Sequence, residues 1–196
     1  MKKECLTERD DIFVIKGFFS DEDCDKTVAL AESIGFGDAP VSGPGGAIIN
    51  KRMRDNERVI HDSPGLAAEI WPKLHPFVSE LKTAVWTPVG LNERFRFYRY
   101  EKEQFFDWHF DGAYQRSGRE ASRLTVLIYL SDGFTGGTTD FCFKAGVLRD
   151  DDPIVTVVPE KGMALVFTHN VLHRGAPVTS GRKYVLRSDV MFRMLG

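Results

Sequence analysis

From residue 94 onward the apolar positions of the chain recur with a period of two. In 94–100 (RFRFYRY), Arg94, Arg96, Tyr98 and Tyr100 fall on one face and Phe95 and Phe97 on the other. This is the pattern of a strand with an oily back and a polar, aromatic front turned to a wet cavity. Residues 124–130 (LTVLIYL) are nearly all apolar and predict a central strand covered on both sides. Short strands are expected at 139–143, 154–158, 164–167 and 183–192, separated by Gly, Asp and Pro. Such spacing predicts a sandwich or jelly roll.

The first part of the chain, to about residue 90, reads as helical. After the apolar segment FVIKGFF at 13–19, Ser20 is an N-cap ahead of Asp21, Glu22 and Asp23, and a helix to about Ser33 should end at Gly35 and Gly37. Ser63 and Pro64 open a second helix whose apolar positions run from Leu66 to Leu81, with Pro72 and Pro76 expected to kink or divide it. Between them, residues 38–58 are rich in Gly and Pro, then in charge, and predict a long surface loop acting as a lid or binding loop. The expected architecture is therefore mainly β with flanking α-helices outside, one domain over 1–196 with its β core at about 91–193.

Composition narrows the partners. The 196 residues carry 26 Lys+Arg against 28 Asp+Glu, a net charge of -2, so neither nucleic acid nor an anionic membrane is an expected partner. No apolar run reaches the roughly 18 residues of a membrane helix. The opening MKKECLTERDD is too polar for a secretory signal, which makes the cytoplasm the expected compartment. Cys5, Cys24 and Cys142 are scattered, without a CxxC, and read as reduced thiols.

The candidate chemistry lies in WHFD at 108–111, where His109 and Asp111 are two apart and would leave one face of a strand. His173 follows after enough chain for several strands to return it beside the pair. Two imidazoles and a carboxylate on one face of a metal make the facial triad of non-heme iron(II) oxygenases. On the last strand Lys183 and Arg187 share a face, and a pocketed cation suits the far carboxylate of a dicarboxylic 2-oxo acid whose other end chelates the iron. His169 and His173 are spaced as in a zinc protease helix, but Asn170 stands where that motif needs Glu, so His169 is assigned to structure or to support of the ligands. His61 and His75 read as surface or helix-packing residues. Asn50, Arg52 and Arg54 in the long loop, and Arg116 and Arg119 after the HxD segment, are candidates for contact with substrate.

Taken in order, YRY at 98–100 with Gln104 and Phe106, HFDG at 109–112, TVLIYLS at 125–131, GGT at 136–138, KGMALVF at 161–167 and LHRGAPV at 172–178 with Gly181 and Lys183 resemble one family. It is the prolyl 4-hydroxylase-like branch of the iron(II)/2-oxoglutarate dioxygenases. The resemblance runs across about residues 94–192, and Phe18, Phe19, Ser20 and Cys24 are similar to the family's opening strand and helix. It departs at Phe106, where the branch often has Tyr, at Glu103, where it often has Gly, and in the final LRSD, which resembles a bacterial and fungal subgroup.

The resemblance implies a double-stranded β-helix, cupin-like, with iron on His109, Asp111 and His173. It places Lys183 at the distal carboxylate of 2-oxoglutarate, with Arg187 as a rival, and Tyr100 on the wall of the cosubstrate pocket. The implied cofactors are Fe(2+), 2-oxoglutarate and O2, with ascorbate as a candidate reductant. The expected activity is hydroxylation of an unactivated C–H bond with release of succinate and CO2. The expected substrate is a free amino acid or similar small metabolite, the alternatives being a prolyl or other peptide substrate and a non-catalytic cupin-like binding module. A monomer or weak homodimer is expected.

Overall fold

A computed structural model describes residues 1–43, 45–144 and 148–196. The strands that position the site are β1 (Lys2–Cys5), β2 (Ile12–Lys16), β3 (Glu57–Asp62), β4 (Trp86–Leu91), β5 (Arg94–Tyr100), β6 (Phe106–His109), β7 (Glu120–Tyr129), β8 (Thr139–Cys142), β9 (Ile154–Val157), β10 (Ala164–Thr168), β11 (Leu172–Gly175) and β12 (Lys183–Met194). The helices are α1 (Asp21–Ile34) and α2 (Pro64–Val78).

The strands form two antiparallel sheets. The larger runs β1-β2-β10-β7-β12-β5-β3 and ends on Gly37–Asp38, with β4 added beside β12; the smaller runs β9-β8-β11-β6. Alternation along the larger sheet divides its side chains between two cores. Phe13, Phe95, Phe97, Leu124, Val126, Ile128 and Leu186 face outward into a core closed by α1 and α2. Val14, Tyr98, Tyr100, Leu127, Tyr129 and Val185 face inward against Phe141, Val157 and Val171 of the smaller sheet side. The strand 124–130 is thus central and covered on both faces, as its sequence predicts, and the whole is a double-stranded β-helix with helices outside.

The N-terminal part is only partly helical, which corrects the expectation. Four numbered strands, β1 to β4, lie before residue 92 and join the larger sheet. Lys2–Cys5 is too polar to read as a strand because it is an edge, paired only with β2. Trp86–Leu91 carries Pro88 and Gly90, which blur its period; it pairs with β12 alone, through a bulge beside Phe192, where a proline is tolerated.

Both helix starts are as expected. Ser20 Oγ accepts from the Asp23 amide at 3.1 Å and Asp23 Oδ2 accepts from the Ser20 amide at 3.3 Å, a reciprocal cap. The Ser63 hydroxyl accepts from the Leu66 amide at 3.2 Å. The second helix, however, runs unbroken through Pro72 and Pro76 to Val78, because its buried stripe Ala67, Ile70, Leu74 and Val78 holds it to the sheet. The 38–58 segment is not all loop either: Val41–Gly43 pairs with Gly46–Ile48, and β3 begins at Glu57. Pro44, within it, lies outside the described residues. Among the described residues no helix is long and apolar enough to cross a membrane, and all three cysteines are free.

Candidate metal and cosubstrate site

The inner face of the smaller sheet brings the triad together. His109 ends β6 and is the register partner of His173 on β11, which sets their rings 4.2 Å apart. Asp111 lies beyond the end of β6, so the shared strand face expected of an HxD pair is not what aligns it. Its amide is fixed on the His169 carbonyl at 3.2 Å, and its carboxylate turns back to stand 3.8 Å from His109 Nε2 and 3.7 Å from His173 Nε2. The three donor atoms lie within 4.8 Å of one another.

Hydrogen bonds fix the protons. His109 Nδ1 faces the Asp107 carbonyl at 2.6 Å and His173 Nδ1 faces the Val171 carbonyl at 3.0 Å. A carbonyl only accepts, so each Nδ1 carries the hydrogen and each Nε2 offers its lone pair. Burial pushes His109 down to about 3, and His173 also falls below the ordinary histidine value by burial. Burial alone would raise the Asp111 carboxyl, but the Arg187 guanidinium at 2.7 Å and the two imidazoles hold it below the ordinary range. Two neutral imidazoles and one carboxylate suit a divalent iron, so the residues fit the metal.

A chain of hydroxyls orients the carboxylate from behind. Thr125 Oγ1 donates to Asp111 Oδ2 at 2.6 Å, which is ionised and can only accept, so Thr125 must receive its own bond from His169 Nδ1–H at 3.0 Å. His169 Nε2 is then an acceptor for the Ser122 hydroxyl at 2.9 Å, and Ser122 Oγ takes the Tyr114 amide at 2.8 Å. Burial keeps His169 neutral, as this order requires. The role of Thr125 is hidden in the sequence inside an apolar run; the available signal was that it shares a face with Leu127 and Tyr129.

Inward from the triad, a narrow pocket lined by Tyr100, Leu127, Tyr129, Thr139 and Val185 leads to Lys183. Its ammonium donates to the Gly137 carbonyl at 2.5 Å and lies 5.2 Å and 5.5 Å from the ring centres of Tyr100 and Tyr129. A Cβ on Gly137 would stand 3.1 Å from Lys183 Cδ, so the lysine's path depends on that glycine. Burial pushes Lys183 down to about 7, against the pull of Asp140. Arg187, on the same strand face, is engaged by Asp111 and, at 3.3 Å, by Asp189.

Outward from the triad a chamber of about 370 Å³ is lined by Arg54, Arg58, Arg96, Tyr98, Phe106 and Arg187 among others. Of the substrate-contact candidates only Arg54 is in it. The segment around Arg54 is tied to β6, with the Asp107 amide on the Met53 carbonyl and the Asp55 amide on the Phe105 carbonyl. Asn50 and Arg52 are exposed and line neither cavity, because the bond network turns their segment outward. Arg116 and Arg119 are also exposed; Arg116 is paired with Glu93 and Glu120 instead. Arg58 was hidden in a mixed-charge run, although its place on β3 aligns it with Tyr98.

Comparison with known proteins agrees with this geometry. A family model for the 2OG-Fe(II) oxygenase superfamily matches residues 95–188. Probable prolyl 4-hydroxylase 6 of Arabidopsis thaliana is 30% identical over 220 residues, covering 94% of this chain and 70% of its own. The chain belongs to the 2OG-Fe(II) oxygenase superfamily, in its prolyl 4-hydroxylase-like branch. Membership implies Fe(2+), 2-oxoglutarate and O2. This oxygenase spans less of another relative, 60% of probable prolyl 4-hydroxylase 7 from the same plant. Its fold is similar to that of the viral collagen prolyl hydroxylase of Paramecium Bursaria Chlorella virus-1 in complex with 2OG (TM-score 0.58, 20% identity, covering 92% of this chain and 96% of that one). It is also similar to a prolyl hydroxylase from Trichoplax adhaerens in complex with a hypoxia inducible factor oxygen degradation domain peptide fragment (TM-score 0.65, 16% identity, 92% and 83% covered).

Proposed function

We propose that this oxygenase hydroxylates a prolyl residue within a peptide, consuming 2-oxoglutarate and O2 and releasing succinate and CO2, with ascorbate as the reductant that maintains the iron. The observation that carries the oxygenase reading is the neutral His109, neutral His173 and ionised Asp111 set between a lysine-ended pocket and an open chamber. The prolyl peptide reading draws its support from the relatives, and it displaces the free amino acid expected from the sequence.

His109 Nε2, His173 Nε2 and an Asp111 oxygen would hold the metal. Bound iron(II) supplies activation of O2 coupled to oxidative decarboxylation of 2-oxoglutarate. The protein's own part is placement. Lys183 receives the distal carboxylate, since its ammonium lines the pocket and Gly137 uses only one of its three N–H groups. Arg187 and Thr125 hold Asp111 in its ionised form, and the rings of Tyr100 and Tyr129 exclude water along the cosubstrate. The target C–H enters from the chamber side. The expected assay result is succinate release stimulated by proline-containing peptides, with hydroxyproline in the product; stimulation by free amino acids alone would overturn the peptide reading.

A further inference from the structure

The outer chamber has more positive charge than its own residues can satisfy. Four guanidiniums line it, from Arg54, Arg58, Arg96 and Arg187, while Asp111 and Asp189 are the carboxylates that face them. Arg187 takes Asp111, and Arg96 reaches Asp189 only at 3.4 Å. Arg54 is held between the rings of Tyr98 and Phe106, with its carbon Cζ 4.5 Å and 4.3 Å from their centres. Its Nε donates to Asn56 at 2.6 Å, but its Nη2 is buried with no acceptor. Arg54 as a whole is 4% exposed and lines the chamber, so an acceptor for its Nη2 is available from whatever fills that space.

Arg58 is half-buried beside it, with no hydrogen-bonding or ion-pair partner among the described residues. The carboxylates near it in sequence are turned elsewhere: Asp55 to Lys51, Glu57 to Arg99 and Asp62 to Arg94. Burial first, and then the neighbouring Arg54, Arg96 and Arg187, push Arg58 below the ordinary arginine value against the pull of Tyr98. A planar fork of N–H donors meets a carboxylate with two bonds at once.

We propose that the substrate carries a carboxylate close to the carbon that is hydroxylated, and that Arg58, with Arg54 and Arg96, receives it. The inference rests on the peptidyl hydroxylase reading and specifies its substrate class as an acidic peptide. The carboxylate is either an Asp or Glu side chain next to the target residue or the C-terminus of the peptide itself. Arg187 is held by Asp111 and Asp189, and its buried Nε adds a further donor without an acceptor at the same chamber.

The test uses the protein loaded with Mn(II) and 2-oxoglutarate without O2, and measures binding of proline-containing peptides, capped at both ends in the first arm and at the N-terminus only in the free acid of the second. Asp or Glu flanking the proline is compared with Asn or Gln, and in a second arm a neutral peptide ending just after the proline is compared as free acid and as amide. The expected result is that one arm favours the acid by roughly 10- to 100-fold. Arg58→Gln should reduce that preference to about twofold or less and Arg58→Lys should keep part of it, with thermal unfolding checking that both variants are folded. The same peptides with O2 should rank alike in hydroxyproline yield. Equal affinity for acid and isosteric amide in both arms, or a preference that survives Arg58→Gln, would overturn the proposal while leaving the oxygenase reading intact. If no peptide binds but a free amino acid does, and Arg58→Gln abolishes its advantage over the amino acid amide, the peptide reading fails and the carboxylate site stands.

Discussion

At the inner end of the cavity a single ammonium, Lys183, is 2% exposed and has a carbonyl as its one hydrogen-bonding partner among the described residues; at the outer end four guanidiniums stand around a chamber of about 370 Å³. Both ends are cationic, and the triad sits between them. The residue types differ for a physical reason. An enclosed lysine loses its charge readily, so Lys183 titrates near 7 and is charged chiefly when an anion lies against it. Arginine stays charged, and its fork can take carboxylates in several poses. The inner end is thus suited to one fixed small dianion, and the outer end to a carboxylate held in any of several poses.

Removing the centre the two ends share should have the largest effect. His109→Ala or His173→Ala leaves two donors for the metal, and succinate production should fall by about a thousandfold or more, beside a loss of Fe(II) affinity read by equilibrium dialysis. Next comes the inner end itself. Lys183→Ala should weaken 2-oxoglutarate binding by roughly 30- to 1000-fold, since it removes one partner of a buried charge pair. Arg187→Ala should instead weaken iron binding, because it frees Asp111. If both substitutions left 2-oxoglutarate affinity at the wild-type level, the two ends would have been assigned wrongly.

The pH dependence sharpens the same contrast. In the free protein Lys183 loses its proton at about 7, below the ordinary lysine value, so between these limits the unfolded chain binds one more proton than the folded one. Stability of the unliganded protein therefore rises with pH across that window, while the charged form that 2-oxoglutarate needs is lost. Affinity for 2-oxoglutarate should fall above about pH 7, by up to about tenfold per pH unit, and Lys183→Ala should flatten the profile. A flat wild-type profile would show that the ammonium is not the distal partner.

The smallest effect belongs to the support behind the triad. Thr125→Val removes the donor to Asp111 Oδ2 and strands His169 Nδ1–H, and iron affinity should drop by about 10- to 100-fold with the fold retained. An unchanged affinity would make this hydrogen-bond chain a packing feature only.

The triad was legible in the sequence because its chemistry admits few residue types and places two of them two positions apart. Strand alternation likewise put Lys183 and Arg187 on one face and Tyr98 and Tyr100 on another. It could not rank the two cations, since that depends on Asp111 swinging past the end of β6 to meet Arg187. In the arginine chamber alternation placed Arg96 beside Tyr98 but gave no guide to Arg54 or Arg58. Arg54 is turned inward by backbone bonds to β6, Arg52 two residues earlier is exposed, and Arg58 lies on a short strand too charged to announce itself. The early strands were masked for similar reasons: KKEC is a polar edge, and Pro88 and Gly90 interrupt the period of β4. Glu103 shows a departure from the family pattern becoming structure, since it takes the left-handed φ of 70° at a turn where the branch often has Gly.

The triad and the lysine-ended pocket must act as one site if iron and 2-oxoglutarate are to bind together. An anaerobic titration of the folded protein with Fe(II) and then 2-oxoglutarate tests this most directly, by the visible metal-to-ligand charge-transfer band of the chelated cosubstrate. The band should appear at one equivalent of each, and should need a much higher 2-oxoglutarate concentration in Lys183→Ala. Its absence from folded wild-type protein at saturating iron and 2-oxoglutarate would contradict the oxygenase assignment of this site.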